Sequence, residues 1–343
     1  MSELRSISRR DALRITAGVG VGAAFGTGLG IELLRQAGLR RVRETRTQMG
    51  TLVTLTVVHP DRDEATAMVD RAFAEMERLE AIFSRYRADS AVGRLNEAGR
   101  LVGAPRELVD VLTLAHDMSR RSGGAFDVTV GPLVELYRAS FERHALPPSD
   151  CDVRGVLDYV NYQGVTIDGD VIRLADERMK ISLDGMAKGF IVDRAVARMT
   201  DDGAERVLVD AGGDMTSGGS GVVNDPWTIG IQDSRASEEL VGRLQLDGAG
   251  VATSGDYLRN FTPDRRHHDI IDPRTGRSPE QLSSSTVLAR TAVEADALST
   301  ALLVLSPEAG LALIDAYGEA ECLLIPKEGG VQIRSRGMSS RLG

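Results

Sequence analysis

The sequence predicts an α+β fold, a mixed sheet with helices packed on it. Three observations carry this expectation. Met68, Ala72, Met76, Leu79 and Phe83 recur at three- and four-residue spacing, the stripe of an amphipathic helix. Thr51 to Val58 alternates Thr with Leu and Val, the pattern of a strand. Helical and strand-like segments then intermingle without regular strand–helix alternation, which argues against a doubly wound parallel sheet.

The elements follow in order. After the strand at Thr51–Val58, Asp63 is the expected N-cap of a helix reaching about Phe83. A second helix runs from Arg106 to Ser122 and stops at Gly123-Gly124. Ala125 to Pro132 reads as a loop or short strand, and residues 140–156, polar and Pro-containing, as a variable excursion. Gly164 to Asp176 is a hairpin turning at Asp168-Gly169-Asp170. Gly185 to Met199 is a helix opened by Asp184-Gly185. Val207 to Val209 is a buried strand running into Ala211-Gly212-Gly213-Asp214. Trp227–Gln232, Gly248–Ser254 and Ser284–Ala289 are strands, Glu294–Val304 and Pro307–Tyr317 helices, and Cys322–Ile325 and Gly330–Ile333 closing strands.

The chain has 343 residues, enough for one large domain or two small ones. Its 42 % hydrophobic and 27 % charged content is that of a soluble globular protein. The first 46 residues hold nine Arg and four acidic residues, a local +5, leaving −14 on the remainder. A body that acidic is a poor partner for nucleic acid, whose sequence-independent binding relies on neutralising phosphates. Lys180, Lys188 and Lys327 are the three lysines against 38 arginines, which draws interest to Lys188 in its Gly-flanked segment. Cys151 and Cys322 have no zinc or iron–sulfur spacing; a disulfide and two free, mostly buried thiols both stay open.

Ser8-Arg9-Arg10-Asp11-Ala12-Leu13-Arg14 resembles a twin-arginine export motif, followed by an uncharged Gly/Ala-rich stretch from Ile15 to Ile31. That stretch is short and weakly apolar for a membrane span. Residues 1–46 are therefore expected to be an export segment and 47–343 the exported, periplasmic body. Ala23-Ala24-Phe25-Gly26 is a poor cleavage site, so removal and retention as an inner-membrane anchor both stay open.

Chemistry could sit in three places. Asp296 and Thr300 are four residues apart on a helix and face one side. Their oxygens are hard donors suited to Mg²⁺ or Ca²⁺, though an exposed helix face gives the same pattern. Ser182 to Phe190 joins a strand to a helix, with small residues, free N–H groups and Lys188 for an anion. It lacks Walker spacing, and a tight corner with a solvated lysine is the plainer alternative. His267 and His268 lie in a polar loop, where surface residues are commoner than catalysts. Val209 to Asp214 reads as a strand and structural turn. No Gly-x-Ser-x-Gly elbow supports a hydrolase triad.

Taken together, the segments resemble the ApbE-like FAD:protein FMN transferase family from about Gln48 to beyond Thr300. The matching stretches are Met49-Gly50-Thr51, Phe83 to Ser90, Gly124 to Thr129, Gly185 to Phe190, Ala211 to Asp214, Ile270 to Gly276 and Asp296 to Thr300. The resemblance implies a flavin site between the layers of the mixed fold. The implied reaction cleaves FAD, releases AMP and joins FMN through its phosphate to a Thr or Ser hydroxyl of a partner flavoprotein, usually a membrane-bound or exported redox subunit. It implies Mg²⁺ on Asp296, Thr300 and an oxygen at Gly185, and an FAD site lined by Met49, Tyr86, Ala125, Phe126, Asp127, Ser182, Lys188 and Ile271.

A histidine beside Ile270-Ile271-Asp272-Pro273 would take the hydroxyl proton. Two positions depart from the family pattern. Asp269 stands where that histidine is usual, with His268 one residue earlier, so either the loop shifts or Asp269 takes the role. Ser182 replaces a usual Asp, with Asp184 two residues on. The alternatives are FAD pyrophosphate hydrolysis to FMN and AMP, or a non-enzymatic FAD-binding maturation factor of a periplasmic redox system such as nitrous-oxide reduction.

Overall fold

The computed structural model describes residues 21–22, 38–220, 226–236 and 239–343. The twin-arginine motif, and all of the stretch after it except Val21–Gly22, lie outside the described residues. In chain order the longer strands are β1 (Arg40–Gln48), β2 (Thr51–His59), β3 (Val165–Asp168), β4 (Val171–Leu174), β5 (Arg206–Ala211), β6 (Asp214–Gly218), β7 (Trp227–Gln232), β8 (Leu240–Leu246), β9 (Gly250–Gly255), β10 (Leu282–Ala289) and β11 (Glu321–Pro326).

An eight-stranded antiparallel sheet organises these elements in the order Ile333–Arg334, β11, β10, β9, β6, β5, β2, β1. The mixed α+β architecture matches the expectation. Strand side chains alternate between faces. Val207, Val209, Val287, Ala289, Cys322 and Leu324 enter the main core, whereas Leu208, Leu288 and Leu323 join a second core with Trp227, Ile229, Ile231, Leu244 and Leu246 of the β7–β8 hairpin. Central strands are thus covered on both faces. β1 is the sheet edge, and Arg40, Arg43, Glu44 and Arg46 on it suit an edge that must not recruit another strand. It begins at Arg40, inside the segment expected to belong to the export region.

The longer helices are α1 (Arg62–Phe83), α2 (Ala91–Ala98), α3 (Arg106–Arg121), α4 (Gly131–His144), α5 (Asp150–Leu157), α6 (Ala187–Asp201), α7 (Ala292–Val304) and α8 (Pro307–Tyr317). The stripe of α1 is buried as its spacing requires. Its cap is Asp61, not Asp63: Asp61 Oδ1 accepts the N–H groups of Asp63 and Glu64 at 2.8 and 3.1 Å.

Residues 125–156 differ more. The expected loop is a 3₁₀ turn at Val128–Val130 running into α4, with Pro132 in the first turn where its missing N–H costs nothing. The expected excursion contains the end of α4 and all of α5, which Ser149 caps through Asp152 N–H. Both helices bury small apolar patches, Leu133, Val134 and Tyr137 against Val153 and Ile271.

Ser182 does not end a strand; α6 starts at Ala187 after a turn. The last short strand is Ile333–Arg334, later than expected. Both thiols are free, Cys151 exposed and Cys322 buried. Among the described residues no helix is long and apolar enough to cross a membrane.

Candidate functional site

The first turn of α6 meets the middle of α7 in a polar corner. Helix α7 is buried nearly all round, so the exposed-face reading of Asp296 fails; its carboxylate is 5 % exposed. Gly189 N–H, at the start of α6, donates to Asp296 Oδ2 at 3.1 Å. Lys188 Nζ sits 2.6 Å from Asp214 Oδ2 at the start of β6, so this lysine is paired and not merely solvated. Burial opposes the ammonium, but Asp214 and Asp296 outweigh it and raise the Lys188 pKa. Asp296 lies well above the usual carboxylate range, through burial first and then the neighbouring Asp214. Two buried carboxyls beside one ammonium cannot both ionise cheaply, so Asp296 favours its protonated form unless further positive charge arrives.

Thr300, one turn along from Asp296, faces Gly185. A Cβ at residue 185 would lie 3.0 Å from Thr300 Oγ1 and 3.3 Å from the Phe126 ring, so only glycine keeps this space open. Ser254 Oγ lies 3.2 Å from Thr300 Oγ1. Carboxylate, hydroxyl and backbone oxygens are what a hard divalent cation takes, and such a cation would displace the proton that burial and Asp214 favour on Asp296. Among the described residues, this corner included, no three His, Cys, Asp or Glu side chains cluster so as to hold a metal ion.

Beside this corner lies an arginine-rich rim. Tyr86, 57 % exposed, has Arg85 4.4 Å and Arg138 5.5 Å from its ring centre. Arg85 Nε pairs with Asp184 Oδ2 at 2.9 Å, and Tyr86 Oη lies 3.3 Å from the same oxygen. Arg259 connects rim and corner: its guanidinium acts electrostatically on both Asp269 and Lys188 and reaches towards the Met49–Gly50 turn. Met49 and Gly50 both have positive φ, 52° and 71°, the tight turn that a right-twisted hairpin requires.

Other expected ligand-lining residues are structural in part. Asp127 Oδ1 accepts from Thr129 N–H and Oγ1, and Oδ2 from Tyr162 N–H at 2.9 Å, so its carboxylate pins two turns. Burial raises its pKa against those bonds. Ala125 and Phe126 are buried, Phe126 against the Gly185 turn. Ser182 N–H donates to Val128 O at 2.7 Å, tying the two turns together. Ile271 is packed among Leu133, Val134 and Tyr137 beneath the rim.

The histidine loop is a hairpin. Asp269 N–H bonds Arg259 O, Asn260 pairs with His268, and Phe261 N–H bonds His267 O. In paired arms successive side chains point to opposite sides. The His267 ring meets those of Tyr137 and Phe141. His268 turns the other way, wholly buried, with Nε2 3.2 Å from Pro279 O. Burial pushes its pKa down to about 4. Asp269 returns to the side of the rim, where Arg259, Asp184, Arg85 and Arg138 all act on it. Burial pushes its pKa up to about 6, with Arg259 opposing. The hairpin pairing thus puts Asp269, not His268, on the side of the rim, and His268 is not a surface residue.

Sequence reasoning missed Asp214, taken as part of a structural turn, and missed Arg85, Arg138 and Arg259. No local spacing marks them, because each reaches the site from a different element.

A profile of the ApbE family matches residues 49–324. Among similar proteins, an FAD:protein FMN transferase of Salmonella typhimurium is 31 % identical over 298 residues, spanning 82 % of this chain and 83 % of that protein. The FAD:protein FMN transferase of Treponema pallidum is 31 % identical over 312 residues, 84 % and 86 % of the two chains. The apo flavinyl transferase ApbE of Pseudomonas stutzeri superposes with a TM-score of 0.77 at 30 % identity, covering 89 % of this chain and 98 % of its own. The Thermotoga maritima ApbE protein gives 0.78 at 30 % identity, covering 88 % and 99 %. With its antiparallel sheet, its α6–α7 corner and these matches along most of its length, the chain belongs to the ApbE family.

Proposed function

We propose that this chain transfers FMN from FAD to a Thr or Ser hydroxyl of a partner flavoprotein, releasing AMP, with Mg²⁺ at Asp296, Thr300 and the Gly185 carbonyl. The observation that carries this reading is the buried corner in which Asp296 faces Lys188 and Asp214 while Gly185 leaves Thr300 open. Relatives named FAD:protein FMN transferase, similar over most of their length, support the flavin reaction. When bound, Mg²⁺ would neutralise charge on the phosphoryl oxygens, the main demand of such transfers.

The chain's own residues supply the rest. The acceptor oxygen attacks the FMN phosphorus, the bond from that phosphorus to the bridging oxygen breaks, and AMP leaves with that oxygen. Lys188 and Arg259 contribute fixed positive charge to the phosphates. Asp269, deprotonated above about 6, takes the hydroxyl proton. The exposed ring of Tyr86, with Met49, Ala125, Phe126, Asp127, Ser182 and Ile271 behind or beside it, would form the FAD site.

The motif at Ser8–Arg14 supports export by the twin-arginine route, which makes an exported or membrane-bound redox subunit the natural acceptor. Protein, FAD, Mg²⁺ and such a subunit should give a fluorescent flavin band on a denaturing gel. A band that survives removal of divalent metal would refute the proposed metal role.

A further inference from the structure

The N-terminus of α7 is held by a side chain from another helix. The first four N–H groups of a helix have no partner within it. Here Ala295 N–H makes the first regular helical bond, to Thr291 O at 3.1 Å, and Thr291 Oγ1 takes Glu294 N–H at 3.3 Å. Ala292 and Val293 N–H donate to Oδ1 and Oδ2 of Asp193 at 2.8 and 2.9 Å. Asp193 lies on α6, four residues beyond Gly189 and on the same face. Gly189 N–H meets Asp296 Oδ2, four residues beyond Ala292 on α7.

The two helices therefore engage at two matched rungs, Asp193 with residues 292 and 293 and Gly189 with residue 296. The backbones approach closely here: a Cβ at Gly189 would fall 2.3 Å from Ala292 O, and one at Gly250 2.2 Å from Ala292 N. A slip of one residue would move α7 about 1.5 Å along its axis and turn it about 100°. That motion would carry Asp296 and Thr300 away from Gly185.

We propose that Asp193 is a positioning residue that sets the register of α7 and so holds Asp296 and Thr300 in the arrangement that binds the divalent cation. The inference rests on the metal reading given above. A cap of purely structural value would lower the melting temperature and leave cation affinity alone; a register device changes affinity as well.

Mg²⁺ titrations of the melting temperature of the full-length protein separate the two, using wild type, Asp193→Ala, Asp193→Asn and Asp296→Ala, with FAD binding without Mg²⁺ followed by flavin fluorescence. Wild type should show a saturable Mg²⁺-induced rise that Asp296→Ala abolishes. Asp193→Ala should need about 10- to 100-fold more Mg²⁺ for half the rise, the range seen when groups supporting metal ligands are removed. Asp193→Asn, which keeps one acceptor oxygen, should fall between, and Mg²⁺-free FAD binding should persist in both. An Asp193→Ala protein that melts earlier with unchanged half-saturating Mg²⁺ overturns the inference while leaving the metal reading intact. Should the alanine variant fail to fold, the same criterion applies to Asp193→Asn. A rise that survives in Asp296→Ala, or none in wild type, overturns the metal reading and this inference with it.

Discussion

Asp269 and Arg259 face each other across the arms of one hairpin, carboxylate to guanidinium at 3.9 Å, while His268, the next residue back and paired with Asn260, is wholly buried. On the proposed reading Asp269 is the base. Replacing Asp269 with Asn should lower the single-turnover rate of flavin transfer by about 10²- to 10⁴-fold, the usual worth of a general base. His268→Ala should instead lower the melting temperature and change the rate by much less. Single-turnover transfer and thermal unfolding of the two variants check this.

The pH dependence follows from the same group. Its pKa, pushed up to about 6 by burial against Arg259, means the transfer rate should rise with pH through about 6. For stability the sign is opposite. A carboxyl whose folded pKa exceeds its unfolded value of about 4 stabilises fully below 4, and that contribution is lost as pH rises through 6. Urea midpoints at acid and neutral pH should show Asp269→Asn gaining on wild type as pH increases.

Gly185→Ala tests the opening in front of Thr300. The added methyl would sit 3.0 Å from Thr300 Oγ1 and 3.3 Å from Phe126, so the turn must move. The expected result is a folded protein whose half-saturating Mg²⁺ rises at least about tenfold, consistent with metal sites sensitive to small ligand displacements. Mg²⁺ dependence of transfer at fixed FAD measures it.

Lys188→Met would leave Asp214 and Asp296 without their ammonium. Breaking a buried pair by removing one partner typically costs about 3–5 kcal/mol. Lys188 is partly exposed, so the lower end is expected. Chemical denaturation near neutral pH should show that loss, and Mg²⁺ should recover more stability in the variant than in wild type.

Local patterns in the sequence were enough for α1, α8 and β7, whose periodicity or turn signals are complete within each segment; Pro307–Tyr317 is found with the expected ends. β1 was illegible because an edge strand carries charge on both sides. α4 and α5 were hidden because their buried stripes are short and a proline and polar residues interrupt them. In the site, Asp296 and Thr300 were legible from one helical turn. Asp214 and Arg138 were not, since strand β6 and helix α4 deliver them from far along the chain. The choice between His268 and Asp269 depended on hairpin register, where one residue reverses the side a group faces.

Transfer of FMN to a protein hydroxyl at a Mg²⁺-dependent site containing Asp296 is tested by the ratio of AMP released to flavin covalently bound to a purified acceptor subunit, with and without Mg²⁺, for wild type and Asp296→Ala. Equal amounts of AMP and bound flavin are expected with Mg²⁺, and neither product without it or in Asp296→Ala. Equal amounts of AMP and free FMN with no bound flavin, or undiminished transfer by Asp296→Ala, would contradict it.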